Sequence, residues 1–255
     1  MDINGMKIST VLLYSTMDYR WLDLCLQNVT KVSNEVIISM CDHYWNGDSE
    51  NQELLKKSIE VIEKYPSVKF GTFEWSPGYN TFYWEGITRI LSTLEVSNEN
   101  DWILYLDTDE IIDPIKFQEW IDSKQYEHYD SIRLSNYWYF RETCYRAKTY
   151  EDSIVLVRKN LVTDGRNTVI NPNLSAGREQ CHEALDVRKI RAVNGLDNTP
   201  MIHHYSWVRT KEEMLKKVST WGHNNDRNWI EMVEQEFSRP FNGKCFVNNY
   251  EFETV

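Results

Sequence analysis

Residues 101–114 read DWILYLDTDEIIDP. Trp102 to Leu106 is apolar throughout, which suits a strand buried on both faces, as in a parallel sheet, rather than a half-solvated one. The strand delivers two carboxylates, Asp107 and Asp109, to its C-terminal end, the edge where ligands bind in open α/β sheets. Asp113 followed by Pro114 opens a helix in the preferred way, cap first and proline in the first turn. The plain reading is that Asp109, Glu110 and Asp113 form only a loop and a cap. Asp113 alone suffices for the cap, however, and Asp107 stands where a purely structural segment would keep an apolar residue. Two carboxylates against an apolar strand repel each other, which is costly unless a cation neutralises them. Such oxygen ligands suit Mn²⁺ or Mg²⁺, which complete their shells with water and substrate phosphates.

Upstream, strand-like and helix-like runs alternate. Ile8 to Tyr14, Val36 to Met40 and Val68 to Trp75 read as strands. Between them, Asp18 can cap a helix with the stripe Leu22, Cys25, Leu26 and Val29. Ser49 and Gln52 form a capping box before Leu54, Leu55, Ile59 and Ile62, with Pro66 as terminator. Asn80 can start a third helix with Tyr83, Ile87, Ile90, Leu91 and Leu94 on one side. Strands alternating with helices imply βαβ units and right-handed crossovers. The fold class expected is therefore α/β, with a mostly parallel central sheet flanked by helices.

Downstream the pattern changes. Ser131 to Phe140 alternates polar and apolar, and Ser153 to Val157 is a further strand. Residues 161–200 mix Asn, Gly and Pro with charges and predict loops and short strands. Thr210 with Glu213 is a capping box opening a helix with Met214, Leu215, Val218 and Trp221. The tail after Arg239 is aromatic and Asn-rich and gives no placement.

At 255 residues the chain is long enough for one large domain rather than two full ones. The expected division is 1–113 as a donor-binding half, 114–223 as an acceptor and metal half, and 224–255 as an extension. A formal net charge of -11 argues against a nucleic-acid polymer as partner, since phosphate backbones are gripped by basic surfaces. The five cysteines include no CxxC pair and read as reduced thiols of a cytoplasmic protein. The opening MDINGMKISTVLLYS lacks the features of a signal peptide, and no apolar run reaches the roughly 20 residues of a membrane span. The 10 Trp and 15 Tyr pack a core and also suit a site that stacks on rings.

At LYLDTDEIIDP the sequence resembles the DxD region of glycosyltransferases with the GT-A (Rossmann-like) fold, in particular the bacterial and viral family 2-like group. A second match lies about a hundred residues on, at Ile202-His203-His204-Tyr205, Val208 to Met214 and Lys217. It is similar to the "HY…RS.EE…K" segment that follows the catalytic core in those enzymes. The resemblance spans roughly residues 7–223. It implies that Asp107 approaches the donor ribose and the metal, that Asp109 ligates the metal, and that His204, or its neighbour His203, completes the metal shell. It further implies a UDP- or GDP-sugar over the first two strand ends, near Tyr14, Ser15, Thr16 and Asp42, with Arg89 near the diphosphate. The acceptor is then a hydroxyl of a glycan or another molecule.

In such a transfer the acceptor hydroxyl displaces a nucleoside diphosphate from the anomeric carbon, and the metal bears the growing charge. The expectation is inversion, in which a carboxylate removes the acceptor proton. The segment 177–185, GREQCHEAL, is where that base is expected: Glu183 first, with Asp186 and Asp197 in reserve. Tyr137, Trp138 and Tyr139 could form an acceptor platform. Two other readings compete. One is a phosphatase of the haloacid dehalogenase type, which also places DxD after an apolar strand, but near the N-terminus. The other is a non-catalytic carbohydrate-binding protein of the same fold. A nucleotidyltransferase would carry a glycine-rich loop after the first strand, and YSTMDYR has no glycine.

Overall fold

The computed structural model describes residues 6–163 and 178–255. Gly177 of the GREQCHEAL segment lies outside them. The first half winds β1 (Ile8–Leu13), α1 (Tyr19–Val29), β2 (Glu35–Cys41), α2 (Gln52–Ile62), β3 (Val68–Phe73), α3 (Thr81–Leu94) and β4 (Trp102–Asp107) into a parallel sheet of order β3-β2-β1-β4. The chain moves outward from β1 to β3 and then crosses back to pair β4 on the other side of β1. The strand order therefore reverses between β1 and β4, the position at which open α/β sheets form a ligand crevice. Leu13 pairs with Asp107 in that register, so the DxD segment emerges at the crevice.

The second half continues with β5 (Glu110–Ile112), α4 (Pro114–Asp122), β6 (Ser131–Phe140), β7 (Glu142–Ala147), β8 (Glu151–Arg158), α5 (Asn160–Thr163), α6 (Arg178–Ala184), β9 (Lys189–Val193), β10 (Ile202–Trp207), α7 (Lys211–Thr220), α8 (Trp229–Phe237) and β11 (Phe252–Thr254). Strand β8 joins β4 antiparallel and continues the same sheet to β6, β7 and β11. The result is the expected α/β architecture, a central sheet flanked by helices. Alternate residues of β4 serve different layers, because side chains alternate across a strand. Trp102, Leu104 and Leu106 join the core under α1 and α4, while Ile103 and Tyr105 join the one under α5 and α6. At ~25 cal/mol per Å² of buried apolar surface, this two-sided burial anchors the strand that carries the site.

Local signals were read correctly where they were strongest. Asp113 caps α4 through Ile115 N and Lys116 N, Asn80 caps α3 through Tyr83 N, and the Thr210–Glu213 box closes reciprocally. The α1 stripe of Leu22, Cys25, Leu26 and Val29 is buried as expected. Four readings need correction. Asp18 makes no cap bond, because its carboxylate is drawn to Arg209 instead. Asn51, not Ser49, caps α2, whose buried face is Ser58, Val61 and Ile62 while Ile59 is exposed; Ser58 is held inward by the Tyr14 hydroxyl. In α3 the buried face is Trp84, Thr88, Arg89, Ile90, Ser92 and Thr93, and Leu94 is exposed, because the helix turns its polar side to the sheet, where Ser92 accepts the Ser39 N–H and Thr93 bonds the Tyr105 hydroxyl. Strand β6 is buried at every position, since neighbouring strands and helices cover both its faces.

The aromatic tail closes a separate core. Phe252 of β11, Trp229 and Val233 of α8, and Cys245 pack with Trp138, Phe140 and Trp207. The described cysteines are all unpaired, as expected. Among the described residues no helix is long and apolar enough to cross a membrane.

Candidate functional site

A cleft of about 490 Å³ opens where β1 and β4 end. Its floor is the DxD turn. Thr108 donates its backbone N–H and its hydroxyl to Leu13 O (3.0 and 2.7 Å), which staples the turn to the end of β1. Glu110 accepts the Asp107 N–H at 2.8 Å, and Asp109 O accepts the Tyr205 N–H at 2.8 Å. The turn is therefore fixed by both neighbouring strands before any ligand arrives.

Charges alternate across this floor. Glu85 and Asp107 flank Arg89, each at 2.9 Å. Arg178 lies 3.5 Å from Asp107 and grips the fully buried Glu110 with both guanidinium nitrogens. Arg209 pairs with Asp18 and stands 3.5 Å from Asp109 Oδ2. Burial alone would raise the Asp107 pKa, but Arg178 and Arg89 hold it well below the usual carboxylate range. Asp109 has weaker support. Burial and the nearby Asp18 charge push it up to about 6, against the pull of His204, Lys217 and Arg209. Its Oδ1 is buried and has no hydrogen-bond partner among the described residues.

Strand parity decides which histidine faces the floor. In the β5–β10 ladder His204 is opposite Glu110 and His203 opposite Ile111, so the two histidines point to opposite faces. His204 Nε2 lies 3.6 Å from Asp109 Oδ1, and its Nδ1 lies 3.9 Å from Glu151 Oε2. His203 instead receives or donates a 2.7 Å bond with the Tyr139 hydroxyl on the far side. The same parity splits the expected acceptor platform. Trp138, aligned with His204, lines the cleft, whereas Tyr137 and Tyr139 pack with His203.

Among the described residues no three His, Cys, Asp or Glu side chains converge as a ready-made metal cage. Asp107 is committed to arginine. Asp109 Oδ1, which accepts no hydrogen bond from any described residue, nevertheless faces His204 Nε2 at 3.6 Å. A Mg²⁺- or Mn²⁺-type site needs only one or two protein ligands when water and phosphate supply the rest, and His204 Nδ1 is held from behind by Asn136 Nδ2 at 3.4 Å, with Glu151 Oε2 at 3.9 Å. The pair fits the ion.

The other expected residues divide. Ser15 and Arg89 line the cleft. The Tyr14 hydroxyl is bound to Ser58, and Thr16 is tied to Tyr44 and Glu50, so both brace the β1 end rather than face the cleft. Asp42 directly follows β2 and accepts the Trp75 N–H at 2.8 Å outside the cleft lining. Glu183 is a half-exposed partner of Arg133 and Arg191, Asp186 is exposed, and Asp197 is bound to Lys116, all outside the lining. The segment expected as a loop is the helix α6, and Glu183 sits about 6 Å along it, one turn past Glu179, which does line the cleft. Sequence reading also missed Arg178 and Glu110 as a pair, and the Trp207, Trp221 and Trp229 wall.

No protein-family model matches the sequence, and no curated protein sequence is similar to it. Solved structures do match. TarS of S. aureus, residues 1–349, superposes with a TM-score of 0.50 at 12% identity, over 92% of this chain and 73% of that one. The fold is GT-A-like. The structure of the same TarS fragment in complex with UDP-GlcNAc aligns at TM-score 0.48 and 14% identity, over 91% and 73% of the two chains. The 4-diphosphocytidyl-2C-methyl-D-erythritol synthase of Anaerococcus prevotii aligns at 0.48 and 11%, over 82% and 95%. At these identities the likeness is one of fold.

Proposed function

We propose that this chain moves a sugar from a nucleotide-diphosphate-sugar donor to an acceptor hydroxyl, with a divalent cation. One observation carries the reading: the unpartnered Asp109 Oδ1 facing His204 Nε2 across 3.6 Å, on the floor of a cleft at the strand switch point. TarS, which shares the fold, is a protein that binds UDP-GlcNAc, in keeping with a nucleotide-sugar donor.

In this reading Asp109 and His204 would hold Mn²⁺ or Mg²⁺, with Asn136 and Glu151 flanking the imidazole at Nδ1. The ion would bear the charge that develops on the departing diphosphate. Arg89 and Arg178 keep Asp107 ionised and fixed, so it orients the donor rather than exchanging protons. Ser15 at the end of β1 faces the donor from the other side of the switch point. The Trp138, Trp207 and Trp221 faces shelter the cleft from water. For inversion the acceptor proton must go to a carboxylate on the cleft wall. Glu179 serves that role here; it comes from the segment expected to supply the base but faces the cleft, as Glu183 does not.

The test is a thermal-shift screen of UDP- and GDP-sugars with Mn²⁺ and with EDTA. A true donor at a hundredfold excess over its dissociation constant stabilises the fold by about 2.7 kcal/mol. The reading fails if no diphosphate nucleotide shifts the melting temperature in a metal-dependent way.

A further inference from the structure

Lys217 is out of place by the ordinary rules of burial. It lies on α7, is only 9% exposed and lines the cleft. Its ammonium has no hydrogen bond or ion pair with any described residue; its nearest organised contact is the Trp221 ring, 5.6 Å from Nζ to centroid. A buried ammonium is costly unless paired, and cores reject it. The neighbouring cations are all occupied. Arg89 is divided between Glu85 and Asp107, Arg178 holds Glu110, Arg209 holds Asp18, and Arg227 at the rim donates to Val247 O.

A second orphan of opposite sign shares the cleft. Asp109 Oδ1 accepts no hydrogen bond from any described residue, Lys217 included, and stands 3.6 Å from His204 Nε2. Two buried groups of opposite charge that face one space without pairing are matched by a ligand carrying both signs. A metal-bound diphosphate is such a ligand, offering its cation to Asp109 and its oxygens to Lys217.

We propose that Lys217 is the chain's own ligand for the diphosphate, gripping it by direct charge-assisted hydrogen bonding whether or not the divalent ion is bound. The sugar-transfer reading supplies only the identity of the anion; the anion site stands on the unpaired ammonium. Lysine suits this task as a compact point charge with three donors, in contrast to the arginines, whose planar forks are consumed by carboxylates. Its place on α7 is set by the Thr210–Glu213 capping box at one end and by Met214 and Val218 in the aromatic core, so the ammonium is held at the cleft without its own ion pair.

The experiment is calorimetric titration of the full chain with inorganic pyrophosphate and with UDP, in EDTA and in Mn²⁺. Pyrophosphate in EDTA should bind the wild type and raise its melting temperature. Lys217→Gln should melt like the wild type without ligand but bind pyrophosphate and UDP about 10- to 100-fold more weakly in EDTA, the loss of one charged hydrogen bond. Lys217→Arg, which keeps the charge, should retain binding within a few fold. If Lys217→Gln does not fold, the arginine variant and the wild-type response in EDTA decide. Undiminished pyrophosphate binding by Lys217→Gln, or no response of the wild type in EDTA, overturns the proposal. Lys217-dependent pyrophosphate binding in a protein that ignores every nucleotide-sugar would sink the transferase reading and leave the anion site standing.

Discussion

Arg178 holds Glu110 through both guanidinium nitrogens, with both side chains buried and Glu110 also accepting the Asp107 N–H. This pair joins α6 to the DxD turn across 68 positions of sequence and fixes the shape of the cleft floor. Glu110→Ala leaves a buried guanidinium without its main partner, an error that typically costs about 3–5 kcal/mol. Urea denaturation should show a loss of that order. A loss within the ordinary ±0.5 kcal/mol of a surface change would show the pair to be dispensable.

Asp109→Asn should separate stability from ligand binding. With the acid pushed up to about 6, the ionised carboxylate is disfavoured in the fold at pH 8, so the neutral amide should leave the ligand-free melting temperature unchanged or higher. The same variant should lose the Mn²⁺-dependent response to nucleotide-sugars. A surviving response would remove Asp109 from the metal site.

Glu179 and Glu183 make opposite predictions from one helix. Loss of a general base lowers turnover by about 10²–10⁴-fold, so Glu179→Gln should fall by that factor with donor affinity intact. Glu183→Gln, which only loosens its pairs with Arg133 and Arg191, should keep its turnover within a few fold. Steady-state kinetics with a donor found by the screen would reverse the assignment if the two variants behaved the other way round.

His182 is buried, with Nδ1 2.7 Å from the Ser131 hydroxyl, and burial lowers its pKa to about 4. Above its ordinary value near 6.5 both the folded and unfolded chains carry it neutral. As pH falls from about 6.5 to 4 the unfolded chain gains a proton that the folded chain resists, so stability falls and then levels off. The contribution is on the order of 3 kcal/mol across that window. Stability measured at pH 7 and pH 4.5 should drop more in the wild type than in His182→Asn; parallel drops would refute the assignment.

Much of the floor was legible because it rests on local rules. An all-apolar run such as WILYL has one comfortable home, and Asp113, Asn80 and Thr210 cap by short-range geometry. Strand parity separates His203 from His204 only after the β5–β10 register is known, so the sequence left both as metal ligands. Arg178 and Glu110 are 68 residues apart, and neither residue type reports a partner at that distance. The sequence names Glu183, yet the carboxylate of that segment that lines the cleft is Glu179, one turn earlier, because α6 lacks the apolar periodicity that would have marked it as a helix. In α3 the apolar residues misled, since the face turned inward makes polar contacts with β2 and β4 through Ser92 and Thr93 and reaches the cleft through Arg89.

The cleft rim also has a consequence for the order in which the molecule is completed. Val247 and Asn248 line the opening, and Asn248 donates to Glu151, which neighbours His204. These residues follow everything else in the pocket along the chain, and β11 just after them clips onto β7. A nascent polypeptide that has shown the ribosome only as far as α8 therefore holds a floor with an unfinished wall. This wall is the last part of the pocket to emerge, and a chain nicked between Arg239 and Phe252 should keep the strands from β3 to β8 in place while losing the enclosure.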